Sequence, residues 1–206
     1  MNTKKMTCII CLLLTVIMLF NACSFQKSPI EVATSFLEAL IAQDEEALEK
    51  VYSGDWSEDG GLTATLNSAD LGGMSKETAE KFVGKVLEFD YAFGEETIND
   101  DKATVDVTIT TYNFTSMFSD MLTDLYSKAI ELAFSGLTEE ELEKQVNAMA
   151  DQALSGSLDK LTEKTVSNTV KLELTKDGHS WKVDPVTDEF TDALLGGLNT
   201  FLESQE

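Results

Sequence analysis

The 206 residues include 15 lysines, no arginine and 37 acidic side chains, for a formal net charge of −22. This balance argues against nucleic acid as a partner, because phosphate binding depends on clustered cations that release counterions. It also sets the body of the chain against an anionic membrane surface.

Lys4 and Lys5 open the chain, and Ile9 to Phe20 follow without a charged residue. That run is shorter than the roughly 20 apolar residues needed to cross about 30 Å of hydrocarbon, and it reads as a signal peptide over residues 1–22. It stops at Phe20-Asn21-Ala22-Cys23, which resembles a bacterial lipobox, although Leu is commoner where Phe20 stands and a small or hydroxyl residue is usual where Asn21 stands. The resemblance implies cleavage before Cys23, a diacylglyceryl group on its sulfur, and a lipid anchor on the extracytoplasmic face of the cell membrane. Two or more acyl chains at about 0.8 kcal/mol per buried methylene make such anchoring effectively permanent. The alternative is an ordinary cleaved signal that leaves Cys23 as a free thiol.

Cys8 and Cys11 mimic a redox pair but fall inside the discarded segment. The mature chain then keeps 184 residues, 13 lysines against 37 acids and one cysteine, and it folds without a disulfide. At that size a core can bury about 70% of the unfolded surface, which suffices for one domain. The expected organisation is a lipidated cysteine and short tether over 23–28, then a single α+β domain over 29–206.

Ser28-Pro29-Ile30-Glu31 combines an N-cap, a first-turn proline and a capping box, and Ile30, Ala33, Phe36, Leu37, Leu40 and Ile41 follow at helical spacing. Asp44 starts a short second helix through Val51. Ser53 to Gly73 is a polar, glycine-containing loop in which Leu62 to Leu71 has room for a helical turn. Ser75 caps a third helix carrying Ala79, Phe82, Val83, Val86 and Leu87 on one face. The period then changes to two: Phe89, Tyr91 and Phe93 alternate with Glu88, Asp90 and Ala92, and Val105, Val107 and Ile109 with Asp106, Thr108 and Thr110 after an Asn99-Asp100-Asp101 turn, which predicts an antiparallel hairpin.

Met117 to Phe134 and Thr138 to Leu161 return to helical spacing, the second with a Thr138/Glu141 capping box and a Leu137/Leu142 staple. Strands over Val166 to Thr175 and Ser180 to Val183 follow, joined by a tight Lys176-Asp177-Gly178-His179 turn. Phe190, Leu194, Leu198 and Phe201 make the stripe of a terminal helix, and Gly196-Gly197 either allows close packing there or weakens its middle.

This order predicts an α+β domain in which a curved antiparallel sheet packs against helices, with an inserted helical segment at about 114–161 and a C-terminal helix. The opening Ser28 to Leu40 helix and the closing Trp181-Lys182-Val183-Asp184 strand resemble small lipoproteins of low-GC Gram-positive bacteria that carry nuclear-transport-factor-two-like, or cystatin-like, domains. The resemblance spans most of the mature chain. It implies a cone-shaped fold and an envelope address rather than an activity.

Candidate chemistry is sparse. His179 is the sole histidine and suits general-base work in a pocket, but its place after Asp177-Gly178 favours a solvated turn residue. One histidine and one mature cysteine cannot assemble the usual Cys/His zinc site, and a histidine-dependent serine triad has only His179 to draw on. Asp55-Trp56-Ser57-Glu58-Asp59-Gly60 spaces oxygen ligands like a calcium loop, yet Leu66 stands where the bidentate glutamate belongs. A polar loop with Trp56 packed on the domain is the simpler reading.

Asp44-Glu45-Glu46 and Glu139-Glu140-Glu141 suit helix N-termini, and nothing selects two carboxylates for glycoside cleavage. Asn113-Phe114-Thr115 fits a glycosylation sequon that a lipobox-bearing bacterial protein would not use. The Gly60-Gly61, Gly72-Gly73 and Gly196-Gly197 pairs do not fit a phosphate-binding fingerprint. Phe118, Met121, Leu122 and Leu125 read as core. No catalytic residue, cofactor or metal is assigned; Cys23, as lipid attachment site, is the one site residue. The expected role is non-enzymatic binding of an apolar ligand, or of an envelope partner, on the concave side of the sheet. The alternatives are a pocket-carboxylate hydrolase or isomerase and a structural lipoprotein that binds a partner through the insert, Phe114 to Leu161.

Overall fold

A computed structural model describes residues 26–56 and 74–204. Cys23 and the signal segment, the Ser57 to Gly60 part of the acidic loop and the Leu62 to Leu71 stretch lie outside the described residues. The elements in chain order are α1 (Pro29–Ala42), α2 (Glu45–Val51), α3 (Lys76–Leu87), β1 (Asp90–Asn99), β2 (Lys102–Tyr112), α4 (Phe114–Ala133), α5 (Glu139–Leu158), β3 (Lys164–Asp177), β4 (Ser180–Val183), α6 (Asp188–Leu194) and α7 (Leu198–Glu203). The strands form one open antiparallel sheet in the order β1-β2-β3-β4. The helical hairpin α4–α5 is inserted between the two strand hairpins, so the fold is α+β as expected.

Alternation divides the sheet into two faces. Val105, Val107 and Ile109 are wholly buried, and Leu172, Leu174 and Val183 join them. The intervening residues form a polar face: Thr108 bonds Thr169 at 2.8 Å, Thr110 bonds Ser167 at 2.9 Å, and Lys171 meets Asp106 at 3.1 Å across the β2–β3 ladder. Such cross-strand pairs hold the register, because a slip of one residue would turn the valines toward water.

α1 packs across β1, β2 and β4, and α6 packs on β2 and β3. Ser28 and Glu31 close the predicted capping box at the start of α1. A bulge in β1 then positions this helix. Phe93 pairs with Val107 but Glu96 pairs with Val105, so Gly94 and Glu95 together oppose Asp106. The extra residue turns Glu96 to the inner face, where its Oε1 accepts from the Ile30 N–H at 3.2 Å. That carboxylate satisfies one orphan donor of the first turn and complements its positive dipole end.

The expected terminal helix is two short helices, a correction with a local cause. Gly196 (φ 61°) and Gly197 (φ 84°) are both left-handed, which ends α6 and starts α7 in a new direction. Gly197 offers no side-chain cap, and Asp192 supplies one: its Oδ1 accepts from the Asn199 N–H at 2.9 Å and its Oδ2 from the Thr200 hydroxyl at 2.6 Å.

Where α3 enters β1, the Tyr112 hydroxyl donates to Glu88 Oε2 at 2.6 Å, and Lys85 Nζ lies 2.9 Å from the same oxygen. The tyrosine hydrogen bond first, and then the lysine, hold the Glu88 carboxyl below its ordinary value. A depressed folded-state pKa gives stability that is present above the unfolded value of about 4.3 and lost as pH falls through the folded one. Urea midpoints of Glu88→Gln should therefore lie below wild type at neutral pH and converge on it toward pH 3. A gap that stays constant with pH would show that the charge contributes nothing.

Candidate interaction surface

The helical insert begins inside the core and leaves it. The Asn113 side chain accepts from the Ser116 N–H at 2.9 Å, so the sequon asparagine serves as the N-cap of α4. Phe114 is wholly buried against Phe82 and Tyr112, and Met117 and Met121 follow it inward. Beyond Met121 the burial stops. From Leu122 to Ala150 no described side chain is fully buried, and burial resumes only at Leu154 and Leu158 near the end of α5.

The root of this hairpin is pinned and its outer half is not. Asp151 Oδ1 accepts from the Ser75 N–H at 2.7 Å, a bond that holds the Asp151 carboxyl below its ordinary value. Lys81 reaches the Ser155 carbonyl at 3.1 Å and Asp159 at 2.6 Å, which ties α5 to α3. Past these contacts α4 and α5 pack mainly on each other; Leu132, Leu142 and Val146 are half-buried there, and Leu125 still packs against the core. The Thr138/Glu141 capping box starts α5 as predicted.

Two helices cannot enclose all their apolar side chains. Leu122 is 47% exposed, Tyr126 74%, Ile130 51% and Phe134 86%; the first three recur every fourth residue on one side of α4, and Phe134 continues the spacing as its C-cap. On the other side, Leu132, Ala148 and Met149 floor an open groove rimmed by Lys128, Glu131, Gln145 and Gln152. Large apolar residues exposed singly are ordinary, but an aligned row of them marks a contact surface.

The remaining sequence candidates fall elsewhere. His179 is exposed in the two-residue β3–β4 turn beside Gly178 (φ 61°), which agrees with the turn reading. Trp56 packs edge-on against Phe36 at 5.6 Å and Tyr52 at 5.2 Å. Among the described residues no cluster of three or more His, Cys, Asp or Glu side chains is arranged to hold a metal ion, and no helix is long and apolar enough to cross a membrane. The concave space between sheet and helices is packed with core side chains: Val105, Val107 and Ile109 from the sheet, and Phe36, Leu37 and Phe190 from the helices, each at most 1% exposed. Of the row on α4, Leu122 alone was singled out from the sequence. Leu122 belonged to a stripe expected to be core, and it stands outside because it lies about 100° round the helix from Met121, whereas Phe118 and Leu125 pack against the core.

No protein-family model matches this chain, and no curated protein matches it. Among solved structures it is similar to the crystal structure of YcdA, a candidate lipoprotein from Bacillus subtilis, with a TM-score of 0.51 and 17% sequence identity. The similarity covers 85% of this chain and 57% of that one, so the chain spans a little over half the length of its structural neighbour. At this identity the likeness is one of fold. The chain is a mixed α+β protein with a four-stranded antiparallel sheet packed against helices, an arrangement it shares with that candidate lipoprotein of a low-GC Gram-positive bacterium.

Proposed function

We propose that this chain is an extracytoplasmic lipoprotein, anchored in the cell membrane through acylated Cys23, and that it works as a non-enzymatic interaction module on a cystatin-like sheet-and-helix scaffold. The lipobox at Phe20 to Cys23 supports the anchor, and the similarity in fold to a candidate lipoprotein agrees with it. The observation that carries the module is the outer half of α4–α5, which leaves the core and exposes an aligned apolar row. This favours a protein partner on the insert over an apolar ligand inside the cone, because the inner sheet face is already covered by Phe36, Leu37 and Phe190.

Intact mass measurement on protein from native membranes tests the anchor. The expected species begins at Cys23 and carries acyl mass, and Cys23→Ser should lose both the acyl mass and the cleavage before residue 23. Retention of Met1 to Ala22 would remove the envelope assignment, and a cleaved chain with an unmodified Cys23 would remove the lipid anchor. A photocrosslinker on the α4 row tests the module, and linkage to no protein at all would overturn it.

A further inference from the structure

Resting on that interaction reading, we propose that the partner of the α4 row is a second copy of this chain, docked antiparallel about a two-fold axis that passes between Tyr126 and Ile130. The spacing supports this first. Residues four apart form the ridges by which helices most often interdigitate, at crossing angles near −50°. Leu122, Tyr126, Ile130 and Phe134 are one such ridge.

The row is also self-complementary. About that axis Leu122 of one copy meets Phe134 of the other, and Tyr126 meets Ile130, so each aromatic ring faces a smaller aliphatic side chain. A parallel pairing in register would instead set Phe134 on Phe134 and leave Leu122 against Leu122, wide at one end and narrow at the other. An isologous contact needs this property of a single patch.

Charge points the same way. At about 100° per residue, the sector spanned by the row holds, between Ser119 and Phe134, only Ser119, Thr123 and Ala133 besides the four apolar residues, with Ala129 and Ser127 at its margins, whereas Asp120, Glu131 and Asp124 lie beyond the Ser127 margin. In a chain of net charge −22 a partner chosen for its cations would be met by acids, and this sector offers none. A neutral face is what allows two strongly acidic copies to touch. With two aromatics at about 150–250 Å² each and two half-exposed aliphatics, the row supplies roughly 500 Å². Two copies would then bury about 1,000 Å² between them, the lower bound for a specific interface. Anchoring both copies in one membrane raises their effective concentration and compensates for a modest area.

The bilayer is a poor occupant by comparison. α1 starts beside Glu96, opposite Val105, whereas α4 starts after Tyr112, about 23 Å further along β2. The root of the insert therefore lies at the end of the sheet away from the tether, and the row carries no lysine for anionic lipid.

The test places a photoreactive benzoylphenylalanine at Tyr126 of the full-length chain, expressed in its membrane. Illumination should give a species of twice the protomer mass, with linked peptides that map to the Ile130 to Phe134 segment of the second copy. Phe134→Lys should reduce this product about tenfold, the loss expected for one aromatic anchor, while thermal unfolding stays at the wild-type temperature. Because the copies repel through their net charge, the product should increase with ionic strength, the reverse of a cationic partner. Linkage to a different protein would overturn the second-copy proposal and leave the interaction reading standing. Linkage to no protein overturns both. A doubled-mass product that Phe134→Lys does not reduce overturns the two-fold geometry.

Discussion

Replacing Gly196 by alanine is expected to destabilise the fold by about 2–5 kcal/mol, the sum of a strained left-handed backbone and a core forced to move. Gly196 has φ 61°, and a Cβ built there would lie 2.6 Å from the Tyr112 carbonyl oxygen, closer than real Cβ contacts come. The obstacle is backbone of the residue pair that ends β2 and starts α4, so no side-chain rotation relieves it. Thr115 Oγ1 donates to the Gly196 carbonyl at 3.3 Å, which fixes the same junction from the other side. Gly84→Ala is the control: it sits inside α3 with nothing within 4 Å of its Cβ, and alanine there should stabilise by about 0.5–1 kcal/mol. Urea unfolding of the two variants against wild type separates the cases. A Gly196→Ala protein within 0.5 kcal/mol of wild type would mean that the α6–α7 corner is not packed against β2 as described.

Phe36→Ala should cost about 3–5 kcal/mol, a large share of the 5–15 kcal/mol that holds a typical domain together. Phe36 is wholly buried and is the hub of an aromatic cluster. It stacks on Tyr52 at 5.8 Å, meets Trp56 edge-on at 5.6 Å and lies 6.0 Å from Phe190. Truncation therefore opens a cavity where α1, the end of α2 and α6 converge. Tyr52 has a second role there, since its hydroxyl accepts from the Val186 N–H at 3.2 Å and its backbone bridges Val183 in β4. The lost ring should be visible as a shifted Trp56 emission along with the lower urea midpoint. Phe134→Ala provides the contrast: at 86% exposure its removal should change stability by less than about 0.5 kcal/mol. Equal losses from the two phenylalanines would refute the division between a core that ends at Met121 and an insert that stands outside it.

The local devices of this chain were legible because their partners sit within four residues. Ser28 with Glu31, Thr138 with Glu141, and Ser75 with Thr78 are reciprocal or single caps readable as sequence, and the structure contains each of them. The alternation of Val105, Val107 and Ile109 likewise announced a strand with one buried face, and Gly178-His179 a tight turn. The β1 bulge was not legible, since only the pairing with Asp106 shows that Gly94 and Glu95 share one partner and that Glu96 turns inward to meet α1. The glycine pair was seen but its meaning was open. The approach of the Tyr112 carbonyl, 84 residues earlier in the chain, decides that it is a corner and not a weak point.

The candidate surface divides in the same way. Of its residues only Leu122 stood in the apolar stripe with Phe118, Met121 and Leu125, and sequence periodicity assigns that whole stripe to a core. Periodicity reports that a helix has an apolar face; it cannot report whether another element covers that face. The sequence by itself determined the elements, their caps, the alternation of the sheet and the lipobox at Cys23, because each depends on neighbours along the chain. Only the tertiary structure decided where the core stops, how the C-terminal helices turn, and that Tyr126, Ile130 and Phe134 face water, because burial depends on surfaces brought together from distant parts of the chain.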